Sequence, residues 1–277
     1  MNILITGSSG YIGSHLVKLL RTNHNVTGLD IASPKVIPTK WDNVDITGSY
    51  LYITSFDCVI HLAALTKVSA SVHSPLPYYK TNFNGTLNLL NSIPCKHFIF
   101  ASTGAAEHCQ SPYAVSKRAA EDCIIEHCKN RKMNYTIFRF YNVIGNSVIG
   151  TTNNDALFYN LEQAIQTKTF NLYGNDYKTP DGTAIRDYVH VDEICGSIEY
   201  ALTNPSMSIE NLGHGVGYSV LEIVEQFKKS NNVDFEINYC DRRPGDVERS
   251  VLSESSKYMK TIYTIEEMLR IKNDKPV

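Results

Sequence analysis

The segment TGSSGYIG, residues 6–13, joins an apolar run of strand length at 2–6 to an amphipathic, helix-length stretch at 11–22. Its three glycines suit a strand-to-helix turn over a phosphate. Gly7 permits the tight turn, Gly10 lets backbone approach a pyrophosphate, and Gly13 lets the helix pack on the sheet. Tyr11 and Ile12 stand in the first helical turn, where free N–H groups and the dipole favour negative charge. A second strand at 25–30 ends in Asp30, where a carboxylate accepts from ribose hydroxyls and repels a 2′-phosphate. A dinucleotide without that phosphate is therefore favoured.

Outward from this loop the alternation continues, with strands at 57–63, 96–101 and 135–140 and helices at 75–92 and 112–130. It predicts parallel βαβ units and hence an α/β fold with a Rossmann-type doubly wound sheet over residues 1–147. The crossover between Asp45 and Asp57 is too short for a full helix, so the third unit is abbreviated. Asp45, in a short strand over 43–46, stands either near the adenine or in a plain loop.

Beyond about 145, loops rich in Asn, Asp and Gly alternate with helices at 155–167, 191–203 and 219–230 and strands at 170–173, 184–189 and 234–239. This predicts a smaller C-terminal substrate-binding lobe, residues 148–277, with the segment 184–203 returning to the first domain. The ligand site is expected in the cleft between the two.

A net charge of -2 provides no basic field for nucleic acid or anionic lipid, so any phosphate must be held by a few placed groups. The seven cysteines are odd in number and form no Cys-x-x-Cys pair, which predicts reduced thiols and no metal site. The opening Met-Asn-Ile-Leu-Ile-Thr carries no basic or long apolar leader, so a cytoplasmic protein without a membrane anchor is expected.

Ser111-Pro112 reads as the N-cap and first position of a helix, which places Tyr113 and Lys117, four residues apart, on one face. An ammonium there is expected to lower the phenol from about 10 towards neutrality, so that Tyr113 removes a proton from a substrate hydroxyl. Lys117 also reaches towards a nicotinamide ribose. The strand before this helix ends in Thr103, whose hydroxyl is placed to donate to the same substrate oxygen.

TGSSGYIG, Asp30, Thr103 and Tyr113-x-x-x-Lys117 together resemble the extended short-chain dehydrogenase/reductase superfamily. Within it, HLAALTKVSASV (61–72), PLPYYKTNFNGTLNLL (75–90), GNDYKTPDGTAIRDYVHVDEI (174–194) and RRPGDV (242–247) are similar to the UDP-glucose 4-epimerases, and the likeness covers nearly the whole chain. The resemblance implies NAD as cofactor, with Ile46, Leu62, Ala63 and Ala64 joining the residues above in holding it. It implies a UDP-sugar substrate, with Arg186 and Arg243 on the diphosphate and Asp246 on the uridine ribose. Asn142 and Asn154 match sugar-nucleotide contacts, although asparagine at such positions also caps backbone. Tyr173 matches an aromatic near the uracil or is core, and Ser250 matches a position whose small size goes with N-acetylhexosamines. A homodimer is expected through the helices at 75–92 and 112–130, where Ile124 and Ile125 serve either that contact or the sheet.

The implied reaction is NAD-dependent 4-epimerisation of a UDP-hexose, UDP-glucose/UDP-galactose or the N-acetyl pair, through a transient 4-keto sugar. Gly104 and Ala105 follow Thr103 where dehydratase relatives carry an Asp-Glu pair, so a general acid for elimination is missing. Between Thr103 and Tyr113 the chain is shorter than in the family, which removes a wall of the sugar pocket. A reductase or dehydratase on another nucleotide sugar, and a non-catalytic NAD-binding protein, are the alternatives.

Overall fold

The structure is a computed structural model, and it describes residues 1–48, 55–145, 156–254 and 256–271. Strand β1 (Asn2–Thr6) enters α1 (Tyr11–Leu20) through the glycine loop and returns as β2 (Asn25–Asp30). Then come β3 (Lys40–Asn43), β4 (Phe56–His61), the short helices α2 (Val68–His73) and α3 (Pro75–Tyr78), and α4 (Gly85–Ser92). β5 (Cys95–Thr103), α5 (Pro112–Arg131), β6 (Asn134–Phe140) and β7 (Asn142–Ile144) follow. The rest comprises α6 (Leu157–Thr167), β8 (Thr169–Tyr173), β9 (Ile185–His190), α7 (Val191–Thr203), β10 (Met207–Leu212) and β11 (Gly217–Ser219). It closes with α8 (Val220–Asn231), β12 (Glu236–Cys240), β13 (Arg249–Ser250) and α9 (Ile265–Leu269).

Seven parallel strands form the central sheet in the order β10-β6-β5-β4-β1-β2-β3. The order reverses between β1 and β4, so their carboxyl ends open a crevice at the switch point of a doubly wound fold. Period-two alternation explains the layers: Ile3 and Ile5 face one side with Leu16, Val17, Ile194 and Ile198, while Leu4 faces the other with Val59, Leu89, Phe100 and Ile124. Covering both faces is what makes the strands continuous apolar runs. Each fully buried Leu or Ile contributes roughly 1.5–3 kcal/mol. Ile124 spends itself in this core, while Ile125 is partly buried against it.

Three departures from the sequence reading have physical causes. The helix expected at 75–92 is interrupted by a π-helical segment, Tyr79–Asn84. Its widened turn accompanies the burial of Asn82, whose amide accepts from Leu65 N (2.8 Å) and donates to Leu65 O and Ser116 Oγ (3.0 Å each). The strand expected at 43–46 instead spans Lys40–Asn43 beside β2, and Asp45 lies past it, its carboxylate accepting from Thr47 N at 2.8 Å. The edge strand β10 was not anticipated, because MSIENL mixes polar and apolar residues where one flank is solvated; it pairs with β6 from Met207↔Tyr135 to Leu212↔Phe140.

A further apolar cluster brings Phe158, Leu161, Leu172, Ile223, Phe227 and Phe235 together. Helix α7 lies against α1, in the core of the central sheet. Two buried carboxylates gather the loops between these parts. Asp187 accepts from His214 N and Gly215 N (2.8 Å each) and Leu252 N (3.2 Å), and Glu193 from Ile262 N (2.7 Å), Tyr263 N (3.1 Å) and His214 Nε2 (2.8 Å). Satisfying several backbone donors at once offsets the cost of burying each charge. Among the described residues no helix is long and apolar enough to cross a membrane.

Candidate active site

A cleft of about 980 Å³ opens over the carboxyl ends of β1, β2 and β4 and runs towards the second lobe. Gly7, at φ +71°, donates to Leu29 O of β2 at 2.9 Å, and Gly10 N closes the turn on Gly7 O at 3.1 Å. A Cβ on Gly13 would stand 2.1 Å from Gly7 O, so helix and loop touch backbone to backbone as the triplet predicts. No side chain caps the first turn of α1, which leaves its N–H groups towards the cleft. Asp30 accepts from Ser9 N and Ala32 N (2.9 Å each), which fixes its carboxylate at the rim while lone pairs remain for further donors. Gly10, Tyr11, Ile12, Asp45, Ile46, Leu62, Ala63 and Ala64 also line this end, so the residues present fit a dinucleotide.

Ser111 caps α5 by accepting from Ala114 N (3.2 Å), with Pro112 first in the helix, and this aims Tyr113 and Lys117 into the cleft beside Thr103. The Thr103 side chain hydrogen-bonds Tyr113, and the Tyr78 ring meets it edge-on at 6.4 Å. The pH behaviour runs against the expectation from sequence: burial pushes Tyr113 up to about 12, with the Thr103 hydrogen bond opposing it. Burial likewise brings Lys117 down to about 7, partly restored by the Glu121 charge. A lysine that is itself costly to charge lends its neighbour little positive field, so the ligand-free pair rests with the phenol protonated.

Asn142, Tyr173, Arg186, Arg243 and Asp246 line the far end of the cleft. Asn142 donates to Asp187 O (3.1 Å), Arg186 Nη1 to Ile185 O (3.0 Å), and the Arg243 guanidinium lies 4.2 Å from the Tyr173 ring centre. Tyr173 thus serves as a platform for a cation at the mouth and is only half-buried. Ser250 pairs beside Arg186 in β13 but is not among the lining residues, and Asn154 lies outside the described residues.

The structure adds lining residues that carry no signal in the sequence, including Leu65, Thr81 and Tyr141. Tyr141 is the residue before Asn142 in FRFYN, so its neighbourhood was in view, but nothing in a strand-end tyrosine marks it as facing a ligand. Its ring packs on Gly104, where a Cβ would come within 2.9 Å of it.

Fold and cleft together are those of an extended short-chain dehydrogenase/reductase. The chain belongs to the NAD dependent epimerase/dehydratase family, whose profile matches residues 3–213. The UDP-glucose 4-epimerase of Pasteurella multocida is 33% identical over 296 aligned positions, covering 89% of this chain and 88% of that protein. Among solved structures, UDP-glucose 4-epimerase from Bifidobacterium longum, in complex with NAD+ and UDP, superposes with a TM-score of 0.86 at 26% identity over 97% of this chain and 96% of that one. The Thermus thermophilus UDP-glucose 4-epimerase in complex with NAD gives 0.85 at 26% identity, over 98% and 97%.

Proposed function

We propose that this chain catalyses the NAD-dependent 4-epimerisation of a UDP-hexose through a transient 4-keto sugar. The observation that carries the reading is that one cleft joins the glycine loop and Asp30, the Thr103, Tyr113 and Lys117 group, and the Arg186, Arg243 and Asp246 group. NAD, held by the glycine loop, Asp30 and Lys117, would supply a reversible hydride acceptor for the sugar C4. Tyr113 takes the proton of the sugar 4-hydroxyl and later returns it; Thr103 orients that oxygen, and the Lys117 ammonium favours the phenolate. Arg186 and Arg243 hold the diphosphate and Asp246 a ribose hydroxyl, so the nucleotide stays anchored while the keto sugar turns over. Binding strength placed on the nucleotide leaves the sugar free to present either face.

Incubation with NAD and UDP-galactose should yield UDP-glucose, resolved by chromatography. The assignment fails if neither this pair nor UDP-GlcNAc and UDP-GalNAc interconvert. Breadth towards the N-acetyl pair is supported by the open side of the cleft, since none of residues 104–112 lines it. Asp30→Asn should weaken NAD about tenfold and narrow its preference over NADP, as the loss of a charge-assisted hydrogen bond costs roughly 1.5–3 kcal/mol. Isothermal titration with each nucleotide checks this, and unchanged selectivity would remove Asp30 from the ribose.

The reading extends to a homodimer and to the cytoplasm. Exposed Leu76 and Leu87, on α3 and α4, support an apolar contact on the expected face.

A further inference from the structure

Behind Lys117 lies a buried ionic joint with no part in the scheme above. Glu121 is fully buried and follows Lys117 by one helical turn and Tyr113 by two, on the same side of α5. It accepts from the Ser102 hydroxyl and, through both oxygens, from Arg139 Nε (3.0 Å) and Nη2 (2.6 Å). Ser102 immediately precedes Thr103, and Arg139 stands just before Phe140 and Tyr141, both of which line the cleft. One carboxylate therefore ties the catalytic helix to the ends of the two strands that carry the cleft's inner wall.

Stability alone does not account for such a pair. Two charges taken out of water recover little net energy, and apolar residues of similar volume commonly serve as well. The geometry instead bears on its neighbour: Lys117 holds its ammonium 4.0 Å from the Phe100 ring centre, with Glu121 as the carboxylate on its own helix. We propose that Glu121, braced by Ser102 and Arg139, is a positioning residue that holds Lys117 charged and in register with Tyr113 and Thr103. The inference rests on the roles given to Tyr113 and Lys117 above.

The groups facing Lys117 bear this out in sign. Glu121 raises the lysine while burial lowers it to about 7. His61 on β4 is held well below its usual range by burial and by Lys117 itself, its ring nitrogens taken up by Thr6 Oγ1 (2.7 Å) and Thr86 Oγ1 (2.9 Å), so it stays neutral. Tyr113, raised to about 12, is neutral as well, and Arg139 is spoken for by Glu121. Glu121 is thus the anion that opposes the loss of charge that burial imposes on Lys117.

Glu121→Gln keeps the size of the side chain and removes its charge. The titration of Lys117 is read from the pH dependence of its acetylation by acetic anhydride in ligand-free protein, by peptide mass. The half-reaction pH should fall by about one unit. At pH 7, kcat for UDP-hexose interconversion should fall roughly tenfold with KM within about twofold, and Glu121→Asp should recover part of both. Should Glu121→Gln fail to fold because Arg139 loses its partner, the double variant Glu121→Leu/Arg139→Met takes its place with the same readouts and the same direction expected. A folded variant whose Lys117 titration matches wild type overturns the proposal, whether kcat holds or falls. Because the labelling needs no turnover, failure of the wild-type protein to interconvert UDP-hexoses would sink the functional reading and still leave this titration to decide.

Discussion

Tyr113→Phe lowers kcat for UDP-hexose interconversion by on the order of 10³-fold and leaves the affinities for NAD and UDP within a few-fold. The ring stays where it is, because its edge-on contact with Tyr78 and its place in the first turn of α5 do not involve the hydroxyl. What disappears is the hydroxyl that meets Thr103 and to which the proposed mechanism gives the proton exchange; losing a positioned acid–base group costs 10²–10⁴ in general. In the ligand-free site the phenol sits up at about 12, so it carries its proton at pH 7. Steady-state rates and calorimetric UDP titration of the same preparation separate chemistry from binding. A variant keeping more than a tenth of wild-type kcat would take the base role away from Tyr113.

Gly13→Ala abolishes NAD retention and destabilises the fold by roughly 1–3 kcal/mol, the range for forcing one methyl into a packed contact. The added carbon would lie 2.1 Å from Gly7 O and 2.9 Å from Gly7 C and Ser8 Cα, all backbone atoms of the glycine loop. None of them can swing aside as a flexible side chain would, so α1 must move off the sheet or the loop must open. Gly10 provides the contrast, since a Cβ there meets only Gly7 O, at 3.2 Å, and Gly10→Ala should be the milder change. Urea denaturation and the nucleotide content of purified protein report the two effects. Wild-type NAD content in Gly13→Ala would show that the loop tolerates what its geometry forbids.

Several features were open to reading before any folding was considered, and they share a cause. The glycine triplet, the aspartate ending β2, the Ser111-Pro112 cap and the four-residue spacing of Tyr113 and Lys117 are set by turn sterics and by the pitch of one helix. The departures share a different cause. β10 is a strand because β6 offers it a partner across some seventy residues of chain, as the pairing Met207↔Tyr135 shows, and its own side chains carry no comparable signal. The π-helical turn depends on Asn82 finding Leu65 and Ser116 in other elements.

The pair at the centre of the site divides along the same line. That Tyr113 and Lys117 face one way followed from their spacing, and that they share a cleft with Arg186, Arg243 and Asp246 required tertiary folding to bring distant parts of the chain together. The direction in which each titrates was settled only by tertiary packing, which buries Tyr113 up to about 12 and Lys117 down to about 7, with Glu121 opposing the fall in Lys117. Residue type and spacing specify which groups a helix presents. The energy of a charge on those groups depends on how much water the rest of the chain removes and which distant residue it brings near.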